Sequence, residues 1–460
     1  MEIKGKKILV VGLGRTGEAV AQFLVSREAK VKISELKTKE ELGDKVYFWQ
    51  QKGVEIEYGG HREESFLESD LIVVSPGVSL LPEIKKAINK GIEVISEIEL
   101  AFRFLKGKIV GITGSNGKST TTTLVHKILN EAGLKSHLAG NIGFSLISFV
   151  DSSSEEDIYA TEISSFQLKY IDQFKVNVSV ILNITPDHLD WHPSFEDYYQ
   201  TKKRLILTQN AEDYAILNAD DPLTWSFRKE VTSQIFPFSR TKRLNRGSYI
   251  KDNKIIITNH KEQELIKVTQ IPLVGVHNQE NIMASALVAH LFNVPVSKIR
   301  ESILNFKGLE HRMEKVTTIN GVEFYNDSKA TNVDATLKSL QSFDQDIILI
   351  LGGRDKHGDF TKLREIVRQR VKRIILIGEA KEKIRRALER AVPLQAASSL
   401  KEAVILGFSS AQRGDIVLLA PACASFDMFE NFEHRGRVFK EEVFKLKSEK
   451  TLGNREVKSV

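Results

Sequence analysis

Apolar positions along the 460-residue chain fall into two alternating modes: short continuous runs of aliphatic residues, and longer stretches with apolar residues three and four apart. The first mode predicts strands buried on both faces, and the second predicts the helices that cover them. From Lys6 to Glu35 the order is strand (KKILVV), glycine turn, helix and strand (KVKIS). DLIVVSPGV (70–78) predicts a strand closed by the Ser75-Pro76-Gly77 turn, and GIEVISEIEL (91–100) a strand entering a helix. KIVGITGSNGKSTTTTLVHKIL (108–129) repeats the unit, with Ile109, Val110 and Ile112 as buried strand and a helix opening at Lys118. HLAGNIGFSL (137–146) turns at Gly140-Asn141-Ile142-Gly143, DIYATEISSFQL (157–168) is a strand ending in Glu162, and VSVILNITPDHLDWH (178–192) runs from a strand into Asp187 and His188. Residues 211–275 alternate in the β manner, and a helix is expected after Gly275-Val276-His277-Asn278. Strand–helix alternation resumes in 322–340, 346–360, 372–380 and 414–436.

This pattern predicts an α/β protein of three domains: a Rossmann-like domain over 1–97, a central P-loop ATPase-like domain over 98–308 and a Rossmann-like C-terminal domain over 309–460. The length is too great for one ordinary core. The polar end EKTLGNREVKSV is expected to fray. With 41% hydrophobic and 27% charged residues the composition is that of a soluble globular protein. No apolar run approaches the ~18 residues of a membrane span. The first apolar run is short and broken by Gly12 and Gly14, which argues against a signal peptide, and a single cysteine, Cys423, permits no internal disulfide. Both point to the cytoplasm. The formal charge of +6 is modest and lacks an arginine-rich stripe, so nucleic acid is not an expected partner. It suits anionic small molecules, although surface lysines alone explain it.

The chemistry concentrates in GSNGKST. Turn N–H groups and a helix N-terminus offer donors to polyphosphate oxygens, Lys118 would reach the terminal phosphates, and Ser119 would hold Mg²⁺. Ile112 stands where the strict G-x-x-x-x-G-K-[ST] pattern has glycine, so this is a variant loop turning on Gly114 and Gly117. A carboxylate at a strand end beside such a loop, here Glu162, suits a second Mg²⁺ contact. His188 and the run Lys202-Lys203-Arg204 follow a core strand, although residues of this kind are commonly a solvated face. Asn278 and Asn281 lie three apart near a helix start, where capping is sufficient reason for Asn278. Gly12, Gly14 and Gly17 match G-x-G-x-x-G, with Glu35 at the offset of a ribose-binding acid. Alone this predicts a dinucleotide cofactor. The same glycines also serve any diphosphate laid on a helix, or close packing only.

With GSNGKST, TEISSFQL, NITPDHLD, Lys202-Lys203-Arg204, HNQEN, HRME, NDSKATN, LGGRDK and PACASFD in this order, the sequence resembles the Mur ligases. These are ATP-dependent enzymes that add amino acids to the UDP-N-acetylmuramoyl precursor of peptidoglycan. The resemblance extends to about Arg437, and NDSKATN and PACASFDMFENF are similar to the D-glutamate-adding branch. It implies that D-glutamate is joined to UDP-N-acetylmuramoyl-L-alanine through an acyl phosphate, releasing ADP and phosphate, with no NAD.

By the same resemblance Gly114, Ser115, Asn116, Gly117, Lys118, Ser119 and Thr120 hold the ATP phosphates. Ser119 and Glu162 bind one Mg²⁺, while His188 and Lys202, the latter as a carbamate, bind a second. The catalytic set is then Lys118, Glu162, His188 and Lys202. Lys203 is an adjacent competitor, but the spacing Tyr198-x-x-x-Lys202-x-Arg204 favours Lys202. Asn281, Arg312, Asp327 and Lys329 lie on the nucleotide side. Thr331, Lys356, Ser425 and Phe432 hold D-glutamate, and Asn141 and His188 border the muramoyl-alanine end. Arg15, Thr16, Lys37 and the turn at Gly77 face the UDP part, although Glu35-Leu36-Lys37 departs from the commonest pattern there. A monomer acting on small molecules is expected. The competing readings are an NAD-dependent oxidoreductase, carried only by the first glycine motif and Glu35, and a non-catalytic nucleotide-binding regulator.

Overall fold

The computed structural model describes residues 1–456 except Ser79, Asp190 and His357, with the backbone alone over 451–456. Among the described residues the strands form three sheets. The first contains β1 (Lys7–Val11), β2 (Lys30–Ser34), β3 (Glu55–Glu57), β4 (Leu71–Val74) and β5 (Glu93–Ser96) in the order β3-β2-β1-β4-β5. All its pairings are parallel, which is why β1 and β4 read as unbroken apolar runs: helices cover both faces. The strand order reverses between β1 and β4, so the turns leaving them, at Gly12 and at Ser75, flank a crevice. A Cβ on Gly17 would stand 1.9 Å from the Gly12 carbonyl oxygen, so this glycine lets the helix Arg15–Ser26 approach the turn.

The second sheet contains β6 (Lys108–Thr113), β7 (Ser136–Gly140), β8 (Ile158–Glu162), β9 (Val178–Ile181), β10 (Tyr214–Asn218), β11 (Gln234–Ser239), β12 (Arg246–Lys251), β13 (Lys254–Asn259) and β14 (Glu262–Lys267). Its order is β14-β13-β12-β11-β10-β9-β6-β8-β7. β6 lies between β8 and β9, both parallel to it, so three loops leave the same end of the sheet side by side. β12, β13 and β14 pair antiparallel and supply the alternation seen in the sequence.

The third sheet contains β15 (Glu314–Ile319), β16 (Val322–Asn326), β17 (Ile347–Gly352), β18 (Val371–Ile377), β19 (Leu394–Ala396) and β20 (Ile416–Leu419) in the order β15-β16-β20-β17-β18-β19. All but β15 run parallel. Ile347, Leu349 and Leu351 of β17 enter one core, while Ile348 and Ile350 enter the other. The helix Phe432–Glu456 carries the backbone through much of the end expected to fray, because Phe439, Val443 and Leu446 anchor it on the second of these cores. Residues 457–460 lie outside the described residues. Among the described residues no helix is long and apolar enough to cross a membrane.

The chain divides into two compact units, Met1–Thr269 with Glu280–Ile303, and Gln270–Gln279 with Leu304 onward. The first two sheets therefore share a unit, and one core runs through both, including Val20, Leu24, Ile147 and Phe174. Two buried carboxylates on the helix Glu97–Phe102 stitch them together. Glu99 accepts from the Asp172 and Phe174 amides (2.8 and 2.7 Å) and from Arg103 Nε (2.8 Å). Glu97 Oε1 accepts from the Ile147 amide at 2.7 Å, while Oε2 is buried without a hydrogen-bond partner. Burial pushes the Glu97 carboxyl up to about 7. Because the folded state holds the proton more tightly than an unfolded chain, this group contributes stability below pH ~4.5 that is lost as pH rises through about 7. Glu97→Gln is expected to flatten the fall in stability between those pH values, measured as urea midpoints across a pH series. An unchanged slope would contradict it.

Candidate active site

The three loops leaving β6, β8 and β9 build the site. After Thr113 the chain turns through Gly114 and Gly117, at φ 151° and 88°, into the helix Lys118–Glu131. A Cβ on Gly117 would stand 2.3 Å from Asn281 Oδ1, so a side chain there would displace the asparagine from the loop. The loop is bolted to the β9 exit. Ser115 N donates to the Asn183 carbonyl (2.9 Å), Asn116 N to Asn183 Oδ1 (2.9 Å), and the Ser115 hydroxyl to the Thr185 carbonyl (2.9 Å). Within 114–120, the amides of Ser115 and Asn116 brace the loop. The first turn of the helix, Lys118 to Thr120, still directs its N–H groups out of the helix end.

Lys118 Nζ folds back to the carbonyls of Gly114 (2.8 Å) and Ser115 (2.9 Å). Lys202, from the helix Phe195–Leu207, reaches the same Gly114 carbonyl at 3.0 Å and Thr113 Oγ1 at 3.2 Å. Its side chain is fully buried. Burial first, and the neighbouring Lys118 charge second, hold its pKa well below the ordinary lysine value, against the opposing pull of Asp187 and Glu162. Lys203 pairs with Glu230, and Arg204 donates to the carbonyls of Lys169 and Ile171. The run read as a candidate solvated face is instead largely buried, because this helix packs over the β6 end of the sheet.

Glu162 is buried at the end of β8. Its Oε1 accepts from Asn141 Nδ2 at 2.9 Å, and its Oε2 is buried without a hydrogen-bond partner. Such an oxygen calls for a cation, and with the buried Ser119 hydroxyl opening the neighbouring helix the donors are hard oxygens that suit Mg²⁺. Among the described residues no three His, Cys, Asp or Glu side chains form a preset metal cage.

His188 is held at φ 53°, its ring 4.9 Å from that of Phe166. Trp191 N and His192 N donate to its carbonyl at 3.1 and 2.9 Å. The loop is pinned by His192, which is buried between Asp197 (Nδ1 to Oδ2, 2.6 Å) and Ser165 (Nε2 to Oγ, 2.9 Å). Trp191 Nε1 donates to the Val78 carbonyl of the first sheet's turn at 2.8 Å. Asn183, Trp191 and His192 were not singled out in the sequence; their signal was position within NITPDHLDWH, between a core strand and the candidate histidine.

A cleft of about 560 Å³ lies between the turns of the first sheet and the Gly140–Asn141 turn of the second. It brings together Arg15, Thr16, Lys37, Gly77 and Asn141, and adds His61 and Gln167, which the sequence reading had missed. Asn141, which lines the cleft, also donates to Glu162. Glu35 lines the cleft as well. Its Oε2 accepts from Leu13 N (2.5 Å) and its Oε1 from Lys37 N (3.1 Å), so the carboxylate braces the glycine turn.

In the second unit Asp327, Lys329, Thr331, Lys356 and Ser425 sit on loops that follow β16, β17 and β20, while Arg312 precedes β15 and Phe432 opens the last helix. Asp327 accepts from Met313 N (3.2 Å) and from the Ser339 hydroxyl, and burial raises its pKa to about 6 against the Arg312 charge. Lys329 Nζ stands 3.8 Å from the centre of the Phe432 ring, and Thr331 N donates to the Lys329 carbonyl at 2.8 Å. The Arg354 and Ala424 backbones pair, which brings the loop bearing Lys356 beside the turn bearing buried Ser425. Arg435, 1% exposed, locks this end: its Nε donates to Ser328 Oγ (2.9 Å) and its guanidinium to the carbonyls of Ser328, Cys423 and Ala424. Sequence reading missed it, since one arginine in a polar helix carries no pattern. Asn278, expected as a cap, lies inside the helix Val276–Leu291 and donates from Nδ2 to the Val274 carbonyl at 2.7 Å.

Residues 6–96 match the Mur ligase MurD-like N-terminal domain, residues 112–289 the Mur ligase middle domain, and residues 311–423 the Mur ligase glutamate ligase domain. The chain is 46% identical over 445 residues to the UDP-N-acetylmuramoylalanine–D-glutamate ligase of Acidobacterium capsulatum, covering 96% of each. It is 45% identical over 448 residues to the ligase of the same name from Koribacter versatilis, covering 97% of this chain and 99% of that one. The fold is similar to that of a pseudomurein peptide ligase type C from Methanothermus fervidus, with a TM-score of 0.62 at 21% identity over 96% of this chain and 100% of the other. From its N-terminal glycine motif to the turn at Cys423, the chain belongs to the Mur ligase family.

Proposed function

We propose that the chain joins D-glutamate to UDP-N-acetylmuramoyl-L-alanine at the expense of ATP, in peptidoglycan precursor synthesis. The observation that carries this reading is the convergence of Lys118, Lys202 and the unpartnered Glu162 oxygen around one glycine loop, with Asn141 linking that carboxylate to a cleft large enough for a nucleotide. The near-full-length likeness to D-glutamate ligases supports the choice of amino acid. In this reading the enzyme is a cytoplasmic monomer acting on small molecules.

The chemical problem is electrostatic. The alanine carboxylate must attack the γ-phosphorus of ATP, bringing two anions together, and the resulting acyl phosphate gives the carbonyl a good leaving group. The D-glutamate amine then adds to that carbonyl, and phosphate departs as the amide forms. Lys118 and the helix N-terminus hold the polyphosphate and offset its charge, while Asn281 borders the loop. The cleft residues Arg15, Thr16, Lys37 and Gly77 take the UDP part, which leaves the alanine end near Asn141 and His188. Asn281, Arg312, Asp327 and Lys329 take the nucleotide side. Lys356 and the Ser425 hydroxyl meet the carboxylates of D-glutamate, with Thr331 and Phe432 beside them. Ser119 and Glu162 would hold Mg²⁺ at one position and His188 and Lys202 at a second, where it would supply neutralisation of the phosphate charge. Lys202 suits the second position as a carbamate: its depressed pKa favours the neutral amine, whose nitrogen adds to the CO₂ carbon, and loss of one proton to solvent leaves an anionic carbamate in place of the amine.

ATP-dependent phosphate release is expected to require both UDP-N-acetylmuramoyl-L-alanine and D-glutamate. Equal turnover with L-lysine or diaminopimelate on a longer peptide would reject the assignment. Lys118→Ala is expected to lower kcat by about a thousandfold or more in the same assay, and near-normal turnover would mean the loop has been misread. Lys202→Ala is expected to lose activity and to recover part of it with an added small carboxylate such as formate. Absence of rescue would count against the carbamate.

A further inference from the structure

The cleft beside Gly12 contains a relay that the ligation chemistry leaves unexplained. Glu57, buried at the end of β3, accepts from the hydroxyls of Ser34 (2.9 Å) and Ser65 (2.5 Å) and from the Arg62 amide (2.5 Å). A carboxylate with three donors acts only as an acceptor, so the single proton of the Ser34 hydroxyl lies toward Glu57. The same Ser34 oxygen stands 2.8 Å from His61 Nδ1, where it can only accept. Nδ1 therefore carries hydrogen, and in the neutral ring Nε2 is a bare acceptor. Among the described residues no hydrogen bond engages Nε2. The ring stands edge-on to Phe66, with centroids 6.1 Å apart, and lines the cleft beside Leu36 and Lys37. Glu35, the acid that the glycine motif would offer a ribose, has both oxygens engaged by backbone amides.

We infer that His61 is a specificity residue for the nucleoside end of the substrate: Nε2 accepts a hydrogen bond from the uridine, and Glu57 through Ser34 holds the ring in the tautomer that can do so. This rests on the reading that the cleft takes the UDP part. Uridine offers donors at the uracil N3–H and the ribose hydroxyls. Cytosine presents an acceptor at N3, so an imidazole acceptor facing that edge favours uracil and opposes cytosine.

The test uses UDP as the probe, titrated calorimetrically into the full chain beside N3-methyl-UDP, 2′-deoxy-UDP, 3′-deoxy-UDP and CDP. The wild type is expected to bind UDP about tenfold tighter than the analogue lacking the donor that His61 meets. A penalty confined to N3-methyl-UDP and CDP assigns the base, and one confined to a deoxy analogue assigns the ribose. His61→Ala is expected to weaken UDP by about the same factor and to erase that discrimination. The KM for the UDP-linked substrate should rise while those for ATP and D-glutamate hold. His61→Gln, which can place an amide oxygen near Nε2, should restore part of the affinity. Ser34→Ala should reduce discrimination and shift the His61 hydrogen off Nδ1 in long-range ¹H–¹⁵N spectra. UDP binding that is equally tight and equally selective in His61→Ala overturns the inference and leaves the cleft reading standing. A wild type that does not bind UDP at all overturns both.

Discussion

Two amines converge on one carbonyl oxygen. Lys118 and Lys202 both donate to Gly114, at 2.8 and 3.0 Å, and Lys202 is buried where water cannot screen the pair. Burial first, and the like charge of Lys118 second, hold the Lys202 pKa well below the ordinary lysine value. The arrangement is stable only with anions at hand, and the molecule places Glu162 and Asp187 within electrostatic reach of Lys202. A region built to need negative charge is suited to polyphosphate.

The remainder of the first unit serves to hold that loop still. Asn183 and Thr185 take up the backbone and hydroxyl of Ser115 and Asn116, and Tyr198 adds its hydroxyl to Ser115 at 3.0 Å. Glu99 ties the 172–174 segment to the first sheet, and Trp191 ties the His188 loop to the turn at Val78. The cleft and the phosphate loop are thereby parts of one compact unit, so the distance from the cleft to Glu162 is set by the fold. In the second unit Arg435 plays the corresponding part. Its guanidinium joins the 328 loop to the 423–424 turn through the carbonyls of Ser328, Cys423 and Ala424.

Much of the architecture was legible because parallel strands buried on both faces leave uninterrupted apolar runs, and helices over them leave a 3.6-residue period. The glycine turns were legible because Gly114, Gly117 and Gly12 adopt φ values that other residues rarely reach. Lys118, Ser119 and Glu162 could be placed from position alone, since each follows directly from a strand end. His61 and Arg435 could not, because their partners come from elements distant in sequence: Ser34 is 27 residues from His61, and Ser328 is 107 from Arg435.

By itself, then, the sequence determined the alternation of strand and helix, the sharp turns and the chemical types available at the strand ends, all of which depend on local periodicity and backbone sterics. Only the tertiary structure decided how those types are used. It made the Glu35 carboxylate a brace for the glycine turn, buried Lys202 against the Gly114 carbonyl, and left one oxygen of Glu162 without a hydrogen-bond partner. The reason is physical. Burial, desolvation and the direction of a hydrogen bond are properties of the space between elements, and that space exists only after the sheets have packed.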